Sequence, residues 1–289
     1  MRTTASTHSW FNGAVGLREL GAPSVASISF HLGTGVFDGL MAYWNDDHYV
    51  LHRAEQHLHR FVAGAARMGL TFRWTVQELL AGIHAILALE PQATQYVRPI
   101  AYRRAPELWV TGSEGRDVDV CIFTVLAPRD IDEPITCHIS PVERISSRAI
   151  PGHTKVSGAY VNSFNARRTA ELAGFHDGIM LDREGRLAEA SAANVFAIRH
   201  GDLLTPPANP DVFPGITRQV ILEVAREHGI GAREQDLWLD DLRGVDGVFL
   251  CSTLMEIRAV SRLDTRPLAT TENPVFKEVV SGFRKQVHR

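Results

Sequence analysis

The chain has 289 residues, 45% of them hydrophobic and 22% charged, a balance typical of a globular protein with one large or two medium domains. Its net charge is −3, its isoelectric point is near 6.5, and it has no basic block, which argues against nucleic acid or an anionic membrane as the main partner. Three widely spaced cysteines, and no apolar run of signal or membrane-spanning length, lead us to expect a cytoplasmic protein that acts on a small molecule.

The N-terminal part alternates strand patterns with two amphipathic helices. Asn12 and Gly13 predict a tight hairpin turn, because both residues accept positive φ angles. Apolar residues at helical spacing predict helices over 54–68 and 76–87. Strands are predicted at 25–30, 36–43, 48–51, 95–102 and 117–125. Together these elements predict a small N-terminal α/β domain over residues 1–127.

A charged segment bracketed by prolines, residues 128–134, predicts a linker between two domains. The larger C-terminal domain is then predicted to span residues 135–289. Its strands are predicted at 135–139, 178–182, 194–199 and 247–251, and its helices at 161–173, at 217–228 and from Pro274 onward. We therefore expect a two-domain protein of the α+β or α/β class.

Lys155 stands out from the other cationic residues. Of the 30 lysines and arginines only three are lysines, and the other two, Lys277 and Lys285, lie in a charged C-terminal segment. Lys155 lies instead among small and hydroxyl residues in PGHTKVSGAY, residues 151–160. A guanidinium stays protonated at any working pH, whereas an ammonium can lose its proton and attack a carbonyl group. Composition alone would favour an ordinary surface lysine in a loop.

Three features of the C-terminal half favour the chemical interpretation. The loop FPGITR, residues 213–218, leads into a helix whose first N–H groups could bind a phosphate, although Thr217 could also simply cap the helix. Glu189 lies among small residues and could keep a ring nitrogen protonated, or it could be a turn residue. Thr253 follows a strand and could add a hydroxyl for an anion, but such residues are common in turns.

Taken jointly, the motifs resemble those of the fold-type IV pyridoxal-phosphate enzymes, the group of the branched-chain and D-amino-acid aminotransferases. The resemblance covers nearly the whole chain and includes Asp38 where the group has glutamate. Its motifs are GTGVFDG (33–39), HLHR (57–60), YVRP (96–99), the lysine at 155, EASAANVF (189–196), PGITR (214–218) and the strand ending at Thr253. It implies a pyridoxal-phosphate-dependent transamination in an active site between the two domains.

The resemblance implies a role for each matching residue. Lys155 would hold pyridoxal 5′-phosphate as a Schiff base and would then carry the proton between the substrate Cα and the cofactor. Glu189 would pair with the pyridinium nitrogen, and Tyr160 would hydrogen-bond the phenolic oxygen. Arg144 falls where the group has an arginine near the site. The phosphate would be bound by Arg60, by the backbone N–H of Ile216, and by Thr217 and Thr253.

For the substrate, the resemblance implies that backbone amides near Thr253 and Leu254 receive the α-carboxylate. Tyr96 and Arg98 would bind the side-chain carboxylate of glutamate as the amino donor, because a guanidinium suits a carboxylate. Arg98 could also be a solvent-exposed residue at a strand end. Phe37 would line the side-chain pocket.

The sequence departs from the bacterial branched-chain enzymes at several positions. Leu32 and Met41 stand where those enzymes tend to have tyrosine and arginine. Arg103 and Arg104 could recognise a second acidic group or be solvated. We expect a hydrophobic, branched-chain L-amino acid as substrate, with glutamate and 2-oxoglutarate as the partner pair.

Three alternatives remain open: a D-amino-acid aminotransferase, a lyase of the aminodeoxychorismate type, and a phosphate-binding protein without catalysis. We expect no metal site at His57 and His59, because residues two apart on a helix point to different faces. A homodimer is expected from the resemblance alone.

Overall fold

A computed structural model of the protein describes residues 5–110, 117–127, 132–209 and 211–287. The chain divides into two compact units, one comprising Met1–Pro128 with Thr154–Ala159 and the other Arg129–His153 with Tyr160–Arg289. The first four residues of the predicted linker, 128–131, lie outside the described residues. The segment that carries Lys155 packs with the first unit, although its position in the chain had placed it in the C-terminal domain.

In the first unit, the described residues form one antiparallel sheet of seven strands and three α-helices. Along the sheet the order is β2-β1-β7-β6-β4-β5, and β3 pairs with β6. In chain order the elements are β1 (Ala5–Phe11), β2 (Ala14–Leu17), α1 (Ile28–Leu32), β3 (Val36–Phe37), β4 (Leu40–Asn45), β5 (His48–Leu51), α2 (Ala54–Arg67), α3 (Val76–Leu87), β6 (Gln95–Arg103) and β7 (Val118–Leu126).

The hairpin and the two longer helices of this unit are confirmed. Asn12 and Gly13 have φ angles of 47° and 96°, as the turn between β1 and β2 requires. The strand predicted over 25–30 is wrong, because α1 begins at Ile28. The Ile28 N–H donates to the carbonyl of Ala105, and Ser29 Oγ accepts from the Arg103 N–H, so contacts with the end of β6 override the local alternation.

In the second unit, the described residues form a mixed sheet of nine strands and three α-helices. The order is β10-β9-β8-β15-β14-β11-β12-β13, with β16 on β15, and β8 is parallel to both of its neighbours. In chain order the elements are β8 (Ile135–Ile139), α4 (Tyr160–Leu172), β9 (Asp177–Leu181), β10 (Leu187–Ala190), β11 (Asn194–Arg199), β12 (Asp202–Thr205), α5 (Ile216–Glu227), β13 (Ala232–Glu234), β14 (Gly247–Ser252), β15 (Glu256–Leu263), β16 (Arg266–Pro267) and α6 (Pro274–Val287).

The core of the second unit comes from alternate residues of neighbouring strands, such as Val195 on β11, Val248 on β14 and Val260 on β15. The sequence did not predict β15, whose alternation of polar and apolar residues is broken at Val260 and Ser261. Among the described helices, none combines the length and the apolar content that crossing a membrane requires.

Within the first unit, the Lys155 segment is held by backbone pairing with residues 33–37. Val36 and Val156 form an antiparallel bridge, and the Phe37 N–H donates to the Lys155 carbonyl at 3.0 Å. The N–H groups of Ser157 and Gly158 donate to the carbonyls of residues 35 and 33 at 2.8 and 2.7 Å. Main-chain hydrogen bonds therefore determine where the backbone of Lys155 lies.

Gly33 allows this pairing to be close. Its φ angle is +69°, and a Cβ at this position would lie 3.0 Å from the Cα of Gly158. Gly69 is a matched glycine of the same unit, with a φ angle of +67° and no atom within 4 Å of the place where a Cβ would lie. Both glycines therefore adopt a left-handed backbone conformation, but only Gly33 lies close to another segment of the chain.

We expect Gly33→Ala to lower the free energy of unfolding more than Gly69→Ala does. A left-handed alanine costs about 1 kcal/mol in both variants, and the contact with Gly158 adds about 1–3 kcal/mol in the first. Urea unfolding of the purified variants measures both values. Equal losses would show that the approach of residues 33 and 158 is not tight.

Candidate active site

The first unit brings together five of the predicted site residues. Phe37 connects the lysine to the sheet, because its N–H donates to the Lys155 carbonyl and its ring lies 4.3 Å from the guanidinium carbon of Arg98. Arg98 Nη2 donates to the Tyr96 hydroxyl at 3.1 Å. Arg60 lies on α2, close in sequence to the buried His57. Within this unit, a cation and an aromatic surface therefore lie next to the strand that holds the lysine.

In the part of the chain that the structure describes, the guanidinium of Arg98 has no protein carboxylate beside it. Among the described residues it takes part in no ion pair, and its Nε is buried without a hydrogen-bond partner. Stacking on an aromatic ring holds the plane of a guanidinium while its edge remains a donor. Such an arrangement suits a carboxylate that arrives from outside the protein.

Arg103 and Arg104 have protein partners instead. Arg103 Nη2 lies 3.1 Å from Glu107, and Arg104 reaches Asp119 at 2.7 Å and Asp117 at 3.2 Å. Both arginines therefore pair with carboxylates of the protein itself, which favours the interpretation in which they do not recognise the substrate.

Asp38 forms a buried cluster with His57 and Arg60. Arg60 Nε donates to Asp38 Oδ2, and Arg60 Nη2 donates to Oδ1, both at 2.8 Å. His57 Nδ1 lies 2.9 Å from the same Oδ1. Two of the three guanidinium nitrogens of Arg60 are thus bound to one carboxylate in a side-on fork.

The cluster determines the charges of its members. Burial by itself raises the pKa of Asp38, but the charge and hydrogen bonds of Arg60, together with His57, hold that pKa well below its ordinary value. Burial lowers the pKa of His57 more than the bond to Asp38 raises it, and the charges of Arg60 and Lys155 lower it further. His57 is therefore a neutral imidazole that donates through Nδ1 to an ionised carboxylate.

In the second unit, Glu189 lies within β10, so the alternative of a turn residue is wrong. Its Oε1 is 2.7 Å from Arg144 Nε, and its Oε2 accepts the N–H of Phe213 at 3.0 Å. Asn194 Nδ2 donates to the Phe213 carbonyl at 2.8 Å and lies 3.5 Å from Oε2. The carboxylate is thereby tied to the loop that leads into α5.

The N-terminus of α5 has no side-chain cap. Gly215 is the N-cap residue, and neither it nor Thr217 caps the helix through a side chain, so the capping role considered for Thr217 is wrong. Ile216 and Thr217 form the first turn and are buried. Arg218 anchors this turn, with Nη2 donating to the Pro206 carbonyl and Nη1 2.8 Å from Glu234. Uncapped N–H groups at a helix start are suited to an anion such as phosphate.

Three further predicted residues lie in the second unit. Tyr160 is the first residue of α4, and Thr253 and Leu254 lie in the turn between β14 and β15. Cys251 pairs with Asn194 across β14 and β11, so this turn follows the part of the sheet that holds Asn194. The six predicted residues of this unit are Tyr160, Glu189, Ile216, Thr217, Thr253 and Leu254.

The residues present fit pyridoxal phosphate. A carboxylate held by a cation and an N–H group suits a protonated ring nitrogen, an uncapped helix start suits a phosphate, and the chain has a lysine with a fixed backbone. Sequence reasoning missed Asp38, Asn194 and Arg218 as organising residues, although each lies inside a quoted motif. Among the described residues, no group of three histidine, cysteine or acidic side chains is placed to hold a metal ion.

We expect His57 to make the protein less stable in mild acid. The unfolded chain binds a proton at His57 below about pH 6.5, whereas the pKa of His57 in the folded protein is lower. Protonation therefore favours the unfolded chain, and the free energy of unfolding falls by up to about 1.4 kcal/mol per pH unit as the pH decreases. Burial also lowers the pKa of His52, to about 4, with smaller contributions from Arg53 and His57, so this second contribution stays in all variants and is slightly smaller without His57.

In His57→Asn, an amide donor replaces Nδ1 and the titrating group is lost, so the slope of stability between about pH 6.5 and 5 should become flatter. His59→Asn, on the exposed side of the same helix, is the control and should keep the wild-type slope. Urea unfolding at several pH values measures the three slopes. Equal slopes for His57→Asn and the wild type would contradict a neutral His57.

Comparisons with known proteins agree with this geometry. Residues 35–263 match the model of the family described as amino-transferase class IV. A probable branched-chain-amino-acid aminotransferase of Aquifex aeolicus is 29% identical, over 96% of this chain and 92% of that protein.

Two solved structures are similar over nearly their whole length. One is a branched-chain aminotransferase from Thermoproteus uzoniensis with norvaline, with a TM-score of 0.93, 27% identity, and coverage of 99% of this chain and 95% of that chain. The other is the T.th. branched-chain amino acid aminotransferase complexed with N-(5′-phosphopyridoxyl)-L-glutamate, with a TM-score of 0.93, 28% identity, and the same coverage. With a family match that spans most of the sequence, the chain belongs to the class IV aminotransferases.

Proposed function

We propose that the protein is a pyridoxal-phosphate-dependent aminotransferase that exchanges an amino group between a branched-chain L-amino acid and a 2-oxo acid. Glutamate and 2-oxoglutarate are the proposed partner pair. One observation carries the proposal: Phe37 binds the Lys155 backbone and also carries the Arg98 guanidinium on its ring. The predicted nucleophile and a carboxylate receptor are therefore organised by the same residue.

The residues of the first unit have complementary roles in this function. The amine of Lys155 would hold the cofactor covalently, and the free amine would accept and return the proton of the substrate Cα. Arg60 binds the phosphate. When bound, pyridoxal phosphate supplies an electron sink for the electrons released as the Cα–H bond breaks.

The residues of the second unit orient the cofactor. Glu189, held by Arg144 and the Phe213 N–H, binds the ring nitrogen, and Tyr160 binds the phenolic oxygen. The first turn of α5 and the turn after β14 bind the phosphate through Ile216, Thr217 and Thr253.

The environment of Arg98 supports the binding of two kinds of substrate side chain. Its guanidinium edge, with the Tyr96 hydroxyl, binds the side-chain carboxylate of glutamate. The ring of Phe37 and the flat face of the guanidinium provide contact for a branched aliphatic chain. Thr253 and Leu254 receive the α-carboxylate through their backbone amides. Similar structures contain norvaline and a glutamate adduct, one aliphatic and one acidic side chain.

The test is a half-reaction screen of the purified, cofactor-loaded protein. We expect L-leucine, L-isoleucine, L-valine and L-glutamate each to convert the absorption of bound pyridoxal phosphate to that of its amino form, and 2-oxoglutarate to restore it. Lys155→Ala should abolish the conversion, with a loss of at least about 10³-fold because the proton-transfer group is removed.

The other outcomes identify the alternatives. Conversion by D-alanine or D-leucine but not by the L-forms would identify a D-amino-acid enzyme. Failure of 2-oxoglutarate to restore the aldehyde form would favour a lyase. A colourless protein that binds phosphate ligands equally well after Lys155→Ala would leave only the non-catalytic alternative.

We further propose a homodimer in the cytoplasm. Leu108, Trp109 and Val110 are consecutive and are 82%, 83% and 90% exposed, an unusual arrangement for a monomer. They follow a segment that is hydrogen-bonded to α1, which itself exposes 61% of Phe30. All three cysteines are buried and outside disulfides, which suits a reducing compartment.

We expect sedimentation equilibrium at micromolar concentration to give twice the chain mass. The double variant Leu108→Ser/Trp109→Ser should raise the dissociation constant by about 10-fold or more, because it removes two large apolar contacts. Leu89→Ser, at a residue 55% exposed in the same unit, is the control and should leave the mass unchanged. A wild-type monomer would contradict the proposal.

A further inference from the structure

A buried carboxylate in the first unit lies outside the set of residues that the reaction itself requires. The side chain of Asp38 is 1% exposed, and Asp38 directly follows Phe37, the last residue of the strand that pairs with the Lys155 segment. Its two oxygens accept from Arg60 Nε, Arg60 Nη2, His57 Nδ1 and its neighbour's backbone, the Gly39 N–H at 2.7 Å. Four donors converge on one carboxylate.

The donors leave only one consistent arrangement of protons. Arg60 is always a donor and the ionised Asp38 is always an acceptor. His57 Nδ1 lies 2.9 Å from Asp38 Oδ1 and 3.2 Å from Arg60 Nη2, so it can hydrogen-bond only one of them. A lone pair on Nδ1 would face the carboxylate oxygen, and Nδ1 therefore carries the hydrogen. His57 therefore donates to the Asp38 carboxylate and does not accept from Arg60 Nη2, which donates to Asp38 instead.

The two hydrogen bonds to Asp38 restrict the conformation of the Arg60 side chain. A free arginine side chain samples many rotamers, and fixing it costs about 2 kcal/mol of conformational entropy. The bonds from Nε and Nη2 hold the guanidinium plane, and burial of the arginine, 15% exposed, limits its other conformations. A receptor that is already ordered binds its ligand more tightly, because less freedom is lost on binding.

We propose that Asp38, supported by His57, is a positioning residue that presets the Arg60 guanidinium for the phosphate of the cofactor. Asp38 touches neither the reacting atoms nor the phosphate, and it acts through Arg60. The inference rests on the proposed role of Arg60 in phosphate binding. It concerns the non-covalent binding of the phosphate, which is independent of the bond to Lys155.

The alternative is a purely structural role, in which Asp38 and Arg60 only hold α2 against the sheet. The two roles differ in one measurable respect. Loss of a positioning residue weakens the binding of ligands that carry a phosphate, whereas a structural defect weakens the binding of ligands with and without a phosphate. Pyridoxamine phosphate and pyridoxamine form such a pair, and neither can form a Schiff base with lysine.

The experiment measures the dissociation constants of pyridoxamine phosphate and pyridoxamine for the full-length, cofactor-free protein by fluorescence titration. The dissociation constant of pyridoxamine divided by that of pyridoxamine phosphate gives the contribution of the phosphate. We expect Asp38→Asn to reduce this ratio by about 10- to 100-fold, the usual effect of losing a charge-assisted contact, while binding of pyridoxamine changes by less than about threefold. Arg60→Ala should reduce the ratio at least as much.

The double variant Asp38→Asn/Arg60→Ala should match Arg60→Ala, because a residue that acts through Arg60 contributes nothing once Arg60 is absent. Additive losses would overturn the inference, and so would an unchanged ratio in Asp38→Asn. An unchanged ratio in Arg60→Ala would instead overturn the proposed phosphate-binding role of Arg60, so the two failures are distinguishable.

A second measurement uses the unmodified protein and does not depend on the folding of a variant. Crystal structures of the wild type with and without pyridoxamine phosphate should both show the Arg60 Nε and Nη2 bonds to Asp38. A guanidinium turned away from Asp38 in either structure would overturn the inference.

Discussion

The backbone pairing between residues 33–37 and the Lys155 segment is the constraint on which the first unit's part of the site depends. The hydrogen bonds to Gly33, Gly35 and Phe37 use main-chain atoms only, so they fix the backbone of Lys155 without using its side chain. Gly33 is needed because a side chain there would meet Gly158. A covalent catalyst requires a fixed origin for its nucleophile, and pairing with β3 provides one for a segment that is not itself a strand.

The same strand organises the charges around the lysine. Phe37 presents its ring to Arg98, and the next residue, Asp38, binds Arg60. Burying a carboxylate without partners would cost several kcal/mol, and here a guanidinium and a neutral imidazole offset that cost. The positive charges of Arg60 and Lys155 help to keep His57 neutral by lowering its pKa further than burial alone does. One short stretch therefore connects Lys155, Arg98 and Arg60, the residues proposed as the nucleophile, the receptor of the substrate carboxylate and the receptor of the phosphate.

The second unit uses the same principle with different elements. Arg144 lies beside Glu189, and the loop before α5 donates a backbone N–H to the same carboxylate. Asn194 links this loop to β11, and Arg218 links the first turn of α5 to the segment after β12. The acid proposed to bind the ring nitrogen and the helix start proposed to bind the phosphate are consequently parts of one hydrogen-bonded assembly.

The sequence by itself determined the elements that depend on local patterns, and it identified the chemistry through its motifs. The hairpin at Asn12 follows from turn preferences, and the helices over 54–67 and 76–87 follow from apolar spacing, both of which are properties of neighbouring residues. Only the tertiary structure decided that residues 28–32 are helical, that the Lys155 segment packs with the first unit, and that Asp38 binds Arg60. These outcomes depend on residues distant in the chain, and a local sequence pattern does not predict which donor will hydrogen-bond to which carboxylate in the folded protein.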